Sequence, residues 1–343
     1  MASHRRPKPA TRTRVTVLTA TAAAAVALSA QAANAAPAKP TIKDAKTKVD
    51  ALYSQAEQAT EKYDAANEKL HTLQKDASSL QDQVARQQQH LNQLRDGLGA
   101  IAASQYRSGG IDPTIQLFLS ANPDTYLQQA TALDQLGALQ AGAMEQLQDA
   151  KRELDQSRAE ATAKLADLQS TRAELAKRKS EAKDKLAQAQ QVLNTLTAQQ
   201  RADMQLQDQI AANRASSRVN LGDAKAATGR AGAAFAAAQN ELGKPYVYGA
   251  TGPGSFDCSG LTSYAYAQAG VSIPRTSEEQ ANAGTRIYSE SQLGVGDLVI
   301  FYGDFHHVGL YAGNGMVLHA PKPGAVVRYE SIADMPFEFG VRI

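Results

Sequence analysis

Gly254-Ser255-Phe256-Asp257-Cys258-Ser259-Gly260-Leu261 holds the only cysteine in the 343 residues of this chain and sets it where a helix begins. Asp257 and Ser259 favour a helix N-terminus, and residues 261–269 read as a helix stopped by Gly270. Cys258 then falls in the first turn. Unpaired N–H groups and the positive end of the helix dipole favour the thiolate there, the form that attacks carbonyl carbon. The competing reading is a buried structural thiol. With one cysteine no internal disulfide forms, so stability has to come from cores and seams.

Working outward, helices come before strands. Residues 233–242 form an amphipathic helix ending at Gly243, and Pro245-Tyr246-Val247-Tyr248-Gly249 is an extended entry to the Cys258 turn. A second helix is expected over 277–283. The apolar runs 298–302, 307–311 and 316–319 read as antiparallel strands, the last two joined at Gly313-Asn314-Gly315. Helices followed by such a sheet make an α+β domain. With a three-residue loop His319 pairs beside Gly309, and the period of two sets it on the same sheet face as His307. A Cys helix packed on a face bearing two histidines supplies a nucleophile, a base and an orienting group. His306 points to the opposite face and is left out.

Asp257-Cys258-Ser259-Gly260-Leu261, His307 through Gly315 and His319-Ala320-Pro321 resemble the three signature blocks of the NlpC/P60 family, papain-like cysteine peptidases of bacterial cell walls. The resemblance covers residues 230–343. It implies Cys258 as nucleophile, His307 as base and His319 as the third polar residue, with Tyr246 on the oxyanion side of the cleft. Asp257, Ser259 and Arg275 line the substrate side, where the Arg275 fork suits a substrate carboxylate. One departure concerns loop shape: Ala250 stands where the family often has a second glycine after Gly249. The activity implied is cleavage of peptidoglycan stem peptides between D-glutamate and the diamino acid. No cofactor is implied, and the sequence shows no Gly-rich phosphate loop and no clustered metal ligands.

Upstream, Arg5, Arg6, Lys8, Arg12 and Arg14 precede an apolar run over 15–30 and the small-residue site Ala33-Asn34-Ala35, so residues 1–35 read as a secretory signal peptide. Removing those five cations turns the formal charge of +2 into about −3, leaving no basic field for nucleic acid. The expected location is extracellular, at the cell wall.

From Ile42 apolar residues recur at 3-4 spacing to Ile101, the pattern of a coiled coil. Breakers at Ser108-Gly109-Gly110 and Asn122-Pro123-Asp124 flank the apolar Leu117-Phe118-Leu119. Residues 36–216 are therefore expected to form an antiparallel helical hairpin with its tip near 108–124, followed by a linker over 217–229. The second arm, from about 125 to 216, overhangs the first by roughly 25 residues, and Arg172 and Lys179 interrupt its seam. Such a rod either spaces the C-terminal domain or restrains it by laying the second arm across the cleft, with the tip offered to a membrane-protein regulator. The rival function is a coiled-coil adaptor that binds wall peptides without cutting them.

Overall fold

The computed structural model describes residues 41–107, 115, 123–218 and 228–343. The leader over 1–35, Leu117-Phe118-Leu119 with nearly all of the tip, and most of the linker lie outside the described residues. Among the described residues no helix is long and apolar enough to cross a membrane.

Helix α1 (Ile42–Arg107) starts at a reciprocal cap, in which the Thr41 hydroxyl accepts from Asp44 N at 3.1 Å and Thr41 N donates to the Asp44 carboxylate at 3.3 Å. It pairs with α2 (Pro123–Asn194) in antiparallel register: Leu73 and Ala77 pack on Leu168, and Leu91 packs on Ala150 and Leu154. Gln83 bonds Ser157, Lys164 reaches Asp76, and Arg158 bonds Gln88, polar bridges along a pairing in which 73–77 face 168 and 91 faces 150–154. At about 1.5 Å per residue each arm runs about 100 Å. The expected seam is the buried line, from Ala45, Val49, Leu52, Ala56 and Ala59 through Ala66 to Leu91.

The second arm is not one helix. It breaks at residues 195–197 and restarts as α3 (Ala198–Arg218). Thr197 caps the restart: its hydroxyl accepts from Gln200 N at 3.2 Å while its own N–H donates to Gln200 Oε1 at 2.9 Å. The expected overhang thus becomes a separate helix. It lies along strand β5 of the C-terminal domain, and its Asp208 meets Lys322 there.

That domain carries α4 (Gly229–Gln239), α5 (Cys258–Gln268) and the single turn α6 (Ser277–Gln280), which is shorter than the 277–283 helix expected. Its six-stranded antiparallel sheet has the order β1-β6-β2-β3-β4-β5, from β1 (Thr285–Ile287), β2 (Leu298–Phe301), β3 (His307–Gly313), β4 (Met316–His319), β5 (Arg328–Ser331) and β6 (Phe337–Arg342). Leu261, Ala265 and Tyr266 of α5 share one core with Leu298, Ile300, Val308, Leu310 and Leu318. Val299, Phe301, Val317 and Ile332 build a second core on the other sheet face.

Candidate active site

Asp257 is the N-cap of α5. Its carboxylate accepts from Gly260 N at 2.6 Å, which fixes Cys258 as the first helical residue, fully buried. The histidines alternate with Val308, Leu310 and Leu318, so they belong to the face opposite the one on which α5 packs. This corrects the expectation of a Cys helix lying over a histidine face. The site forms instead at element ends, where α5 and β3 begin and β4 finishes, since Cys258, His307 and His319 are each a terminal residue.

Register does bring the imidazoles together. Leu310 pairs Leu318, so His319 comes opposite Gly309, and His307 Nε2 lies 2.7 Å from His319 Nδ1. A methyl group at Gly309 would meet both Val317 and the Cβ of His319. Gly309→Ala is therefore expected to cost about 1–3 kcal/mol of stability and to part the two rings, seen as a lowered denaturation midpoint together with shifted imidazole resonances.

A chain of hydrogen bonds fixes the tautomers. His319 Nε2 lies 3.1 Å from Glu330 Oε2, which Arg328 also grips at 2.9 Å. Burial alone would raise the Glu330 carboxyl, but the His319 bond and the Arg328 charge hold it well below the carboxylate range. An ionised Glu330 only accepts, so His319 Nε2 carries a proton. Burial lowers the His319 pKa and keeps the ring neutral, which leaves Nδ1 as an acceptor. His307 Nε2–H must then donate to it, which leaves His307 Nδ1 as the ring nitrogen beside Glu57 Oε1, with Cys258 Sγ within 4.8 Å. Glu330 was not singled out in the sequence because β5 was not recognised as a strand; the alternation Arg328, Glu330 was its only signal.

The first arm, not the second, occupies this centre. Glu57 Oε1 of α1 lies 2.6 Å from His307 Nδ1, and Glu61 Oε1 lies 3.6 Å from Cys258 Sγ. Glu61 also accepts from Ser259 Oγ at 2.7 Å, Ser277 N at 2.7 Å and Ser277 Oγ at 2.9 Å. Further out, Ser54 bonds His306, Tyr248 OH donates to the Tyr53 carbonyl, and Lys322 reaches Asp50 at 2.7 Å. The helix that lies over Cys258 is therefore α1 and not the second arm, whose last helix α3 lies along β5 instead. Nothing in the sequence marked this, since Glu57, Glu61 and Asp64 look like the solvated flank of a coiled coil.

Arg275 is neither a surface residue nor free to meet a ligand. It bonds Asp257 at 2.6 Å and Ser259 Oγ at 2.8 Å, and Asp64 Oδ2 approaches its Nη2 to 3.0 Å without hydrogen-bond geometry. One guanidinium serves Asp257, Asp64 and, more distantly, Glu61, so these carboxylates cannot all ionise cheaply. Burial pushes Glu61 up to about 8 and Asp64 up to about 7. Burial, then the nearby Glu57 and Glu61, push the Cys258 thiol well above its usual range. With α1 over the site, burial thus opposes the thiolate that the helix N-terminus alone would favour. Tyr246 is buried edge-on to Tyr248, ring centroids 5.1 Å apart, and with His319 it lines a cleft of about 370 Å³ beside α1 and α3.

Residues 243–338 match the NlpC/P60 family. A probable endopeptidase of Corynebacterium glutamicum is 51% identical over 106 residues, which is 31% of this chain and 50% of that protein. The probable endopeptidase p60 of Listeria monocytogenes is 52% identical over 100 residues, 29% of this chain and 20% of the relative. Among solved structures, the NlpC/p60 domain of the peptidoglycan hydrolase SagA is 37% identical, with a TM-score of 0.32, over 33% of this chain and 98% of that one. This chain spans half or less of the length of these two curated relatives.

Proposed function

We propose that this chain, whose C-terminal domain belongs to the NlpC/P60 family, is an exported cell-wall hydrolase that cuts peptidoglycan stem peptides between D-glutamate and the diamino acid. The observation that carries the reading is the relay from Glu330 through His319 to His307, which orients an imidazole whose Nδ1 lies within 4.8 Å of the one cysteine. With the cleft open, His307 Nδ1 takes the thiol proton as Cys258 Sγ attacks the scissile carbonyl. The Cys258 N–H at the start of α5 stabilises the oxyanion. Protonated His307 then gives its proton to the leaving amine, a thioester remains, and water activated by the same ring hydrolyses it. His319 and Glu330 act by holding the tautomer, so His319→Gln should keep measurable turnover.

The chain is latent in this arrangement. Glu57 occupies the lone pair the base needs, and burial under α1 disfavours the thiolate. A membrane-protein regulator gripping the hairpin tip would shift the chain toward its open state. The test of the activity is mass spectrometry of purified wall digested by full-length protein. Fragments ending at D-glutamate support the reading, and a wall left unchanged by protein in which α1 has been displaced rejects it.

The closed state takes up protons. Asp64 and Glu61 rise to about 7 and about 8 from ordinary values of 3.8 and 4.5. Raised pKa values mean that their contribution to closure is complete below about pH 4 and is lost as pH rises through 7 to 8. The other charged and titratable groups facing them are Asp257, Arg275, Cys258 and Glu68. Hydrogen exchange over residues 50–66, corrected for intrinsic rates, is expected to be faster at pH 8.5 than at pH 5.5. Equal protection at the two values would count against it.

A further inference from the structure

We infer that Glu57, Cys258 and His307 form a zinc-binding site that exists only while α1 lies in the cleft. All three residues are buried, and each offers one ligand atom within 4.8 Å of the other two. Among the described residues no other such trio occurs. A thiolate, an imidazole nitrogen and a carboxylate oxygen are a zinc donor set, whereas magnesium and calcium require shells of oxygen. The fourth position falls to water or to Glu61 Oε1, 3.6 Å from the sulfur.

The surroundings suit a metal ligand. His307 Nε2–H donates to His319, and His319 donates in turn to Glu330, the outer-shell support that orients a ligating imidazole and raises its basicity. Charge points the same way. Two acidic groups, Glu57 and Cys258, face each other with Glu61 alongside, while the nearby cation Arg275 is committed to Asp257 and Asp64. The 2.6 Å separation of His307 Nδ1 from Glu57 Oε1 is that of a hydrogen bond. Zinc bonds of about 2.0–2.3 Å at tetrahedral angles need ligand atoms roughly 3.3–3.7 Å apart. Binding zinc therefore requires Glu57 to turn its side chain by about an ångström away from His307. The exchange balances as Zn²⁺ in and two protons out, one from the thiol and the one in the His307–Glu57 hydrogen bond.

Two ligands come from the C-terminal domain and one from α1, so metal binding and closure favour each other: zinc at a hundred times its dissociation constant would favour the closed state about a hundredfold. Zinc would act as a staple on the latent form. Its consequence for turnover rests on the proposed role of Cys258 and His307, but binding itself does not.

The test is a Co²⁺ titration of the full-length protein, followed by its thiolate-to-cobalt charge-transfer band and by displacement with Zn²⁺. One ion per chain is expected, with the band absent in Cys258→Ser and the affinity at least about tenfold weaker in Glu57→Gln. A wild-type protein without the band overturns the site. So does a Glu57→Gln variant that binds as tightly as wild type, because the metal would then sit on the Cys–His pair without α1. The titration reads no turnover: thiol-dependent hydrolysis with no band rejects the zinc site alone, and a band in wild type together with no hydrolysis by protein in which α1 has been displaced upholds the site while rejecting the enzymatic reading.

Discussion

Full-length protein carrying Glu61→Lys is expected to hydrolyse soluble muropeptides at least about tenfold faster than wild type, measured as kcat/KM at pH 7. The substitution sets an ammonium where Ser259 Oγ, Ser277 N and Ser277 Oγ all donate, with Arg275 close by. A buried charge stranded among donors costs several kcal/mol, and α1 escapes that cost by leaving the cleft. Each 1.4 kcal/mol of lost closure is a factor of ten in the open population, up to the point where the open state dominates. The rest of α1 keeps its seam with α2 through Leu73, Ala77 and Leu91, so the hairpin should survive. Equal rates in the two proteins would reduce the hairpin to a tether.

In that released background, Cys258→Ala and His307→Ala are each expected to lower kcat/KM by at least about a thousandfold, since nucleophile and base act as one unit and their losses do not add. The double variant should therefore be no worse than either single one. Both are small replacements in a domain whose core is built by α5 and the sheet, so circular dichroism should be unchanged. Retained activity in any Cys258 variant would remove the cysteine from the chemistry.

How much of this was legible in the sequence depended on whether the signal was local. The Cys258 turn, the hairpin and the pairing of β3 with β4 follow from caps, 3-4 spacing and a glycine-rich turn, all written within a few residues. The break at 195–197 was also written, as Thr197 and Gln200 in capping-box spacing, but it was hidden in a long run of helix-forming residues. Glu57, Glu61 and Asp64 were not legible. A carboxylate on a helix flank reads the same whether it faces water or a cleft about 200 residues away in the chain. Nor was the thiol's high pKa, because the dipole is a property of α5 while desolvation belongs to whatever covers it.

On the proposed reading α1 guards an otherwise competent thiol, and Cys258 is the only cysteine, so its alkylation can be followed without ambiguity by intact-mass spectrometry. At pH 7, with chelator present, slow labelling of wild type is expected and at least about tenfold faster labelling of Glu61→Lys, the gain disappearing when His307→Ala is added. Equal labelling rates in wild type and Glu61→Lys would contradict it.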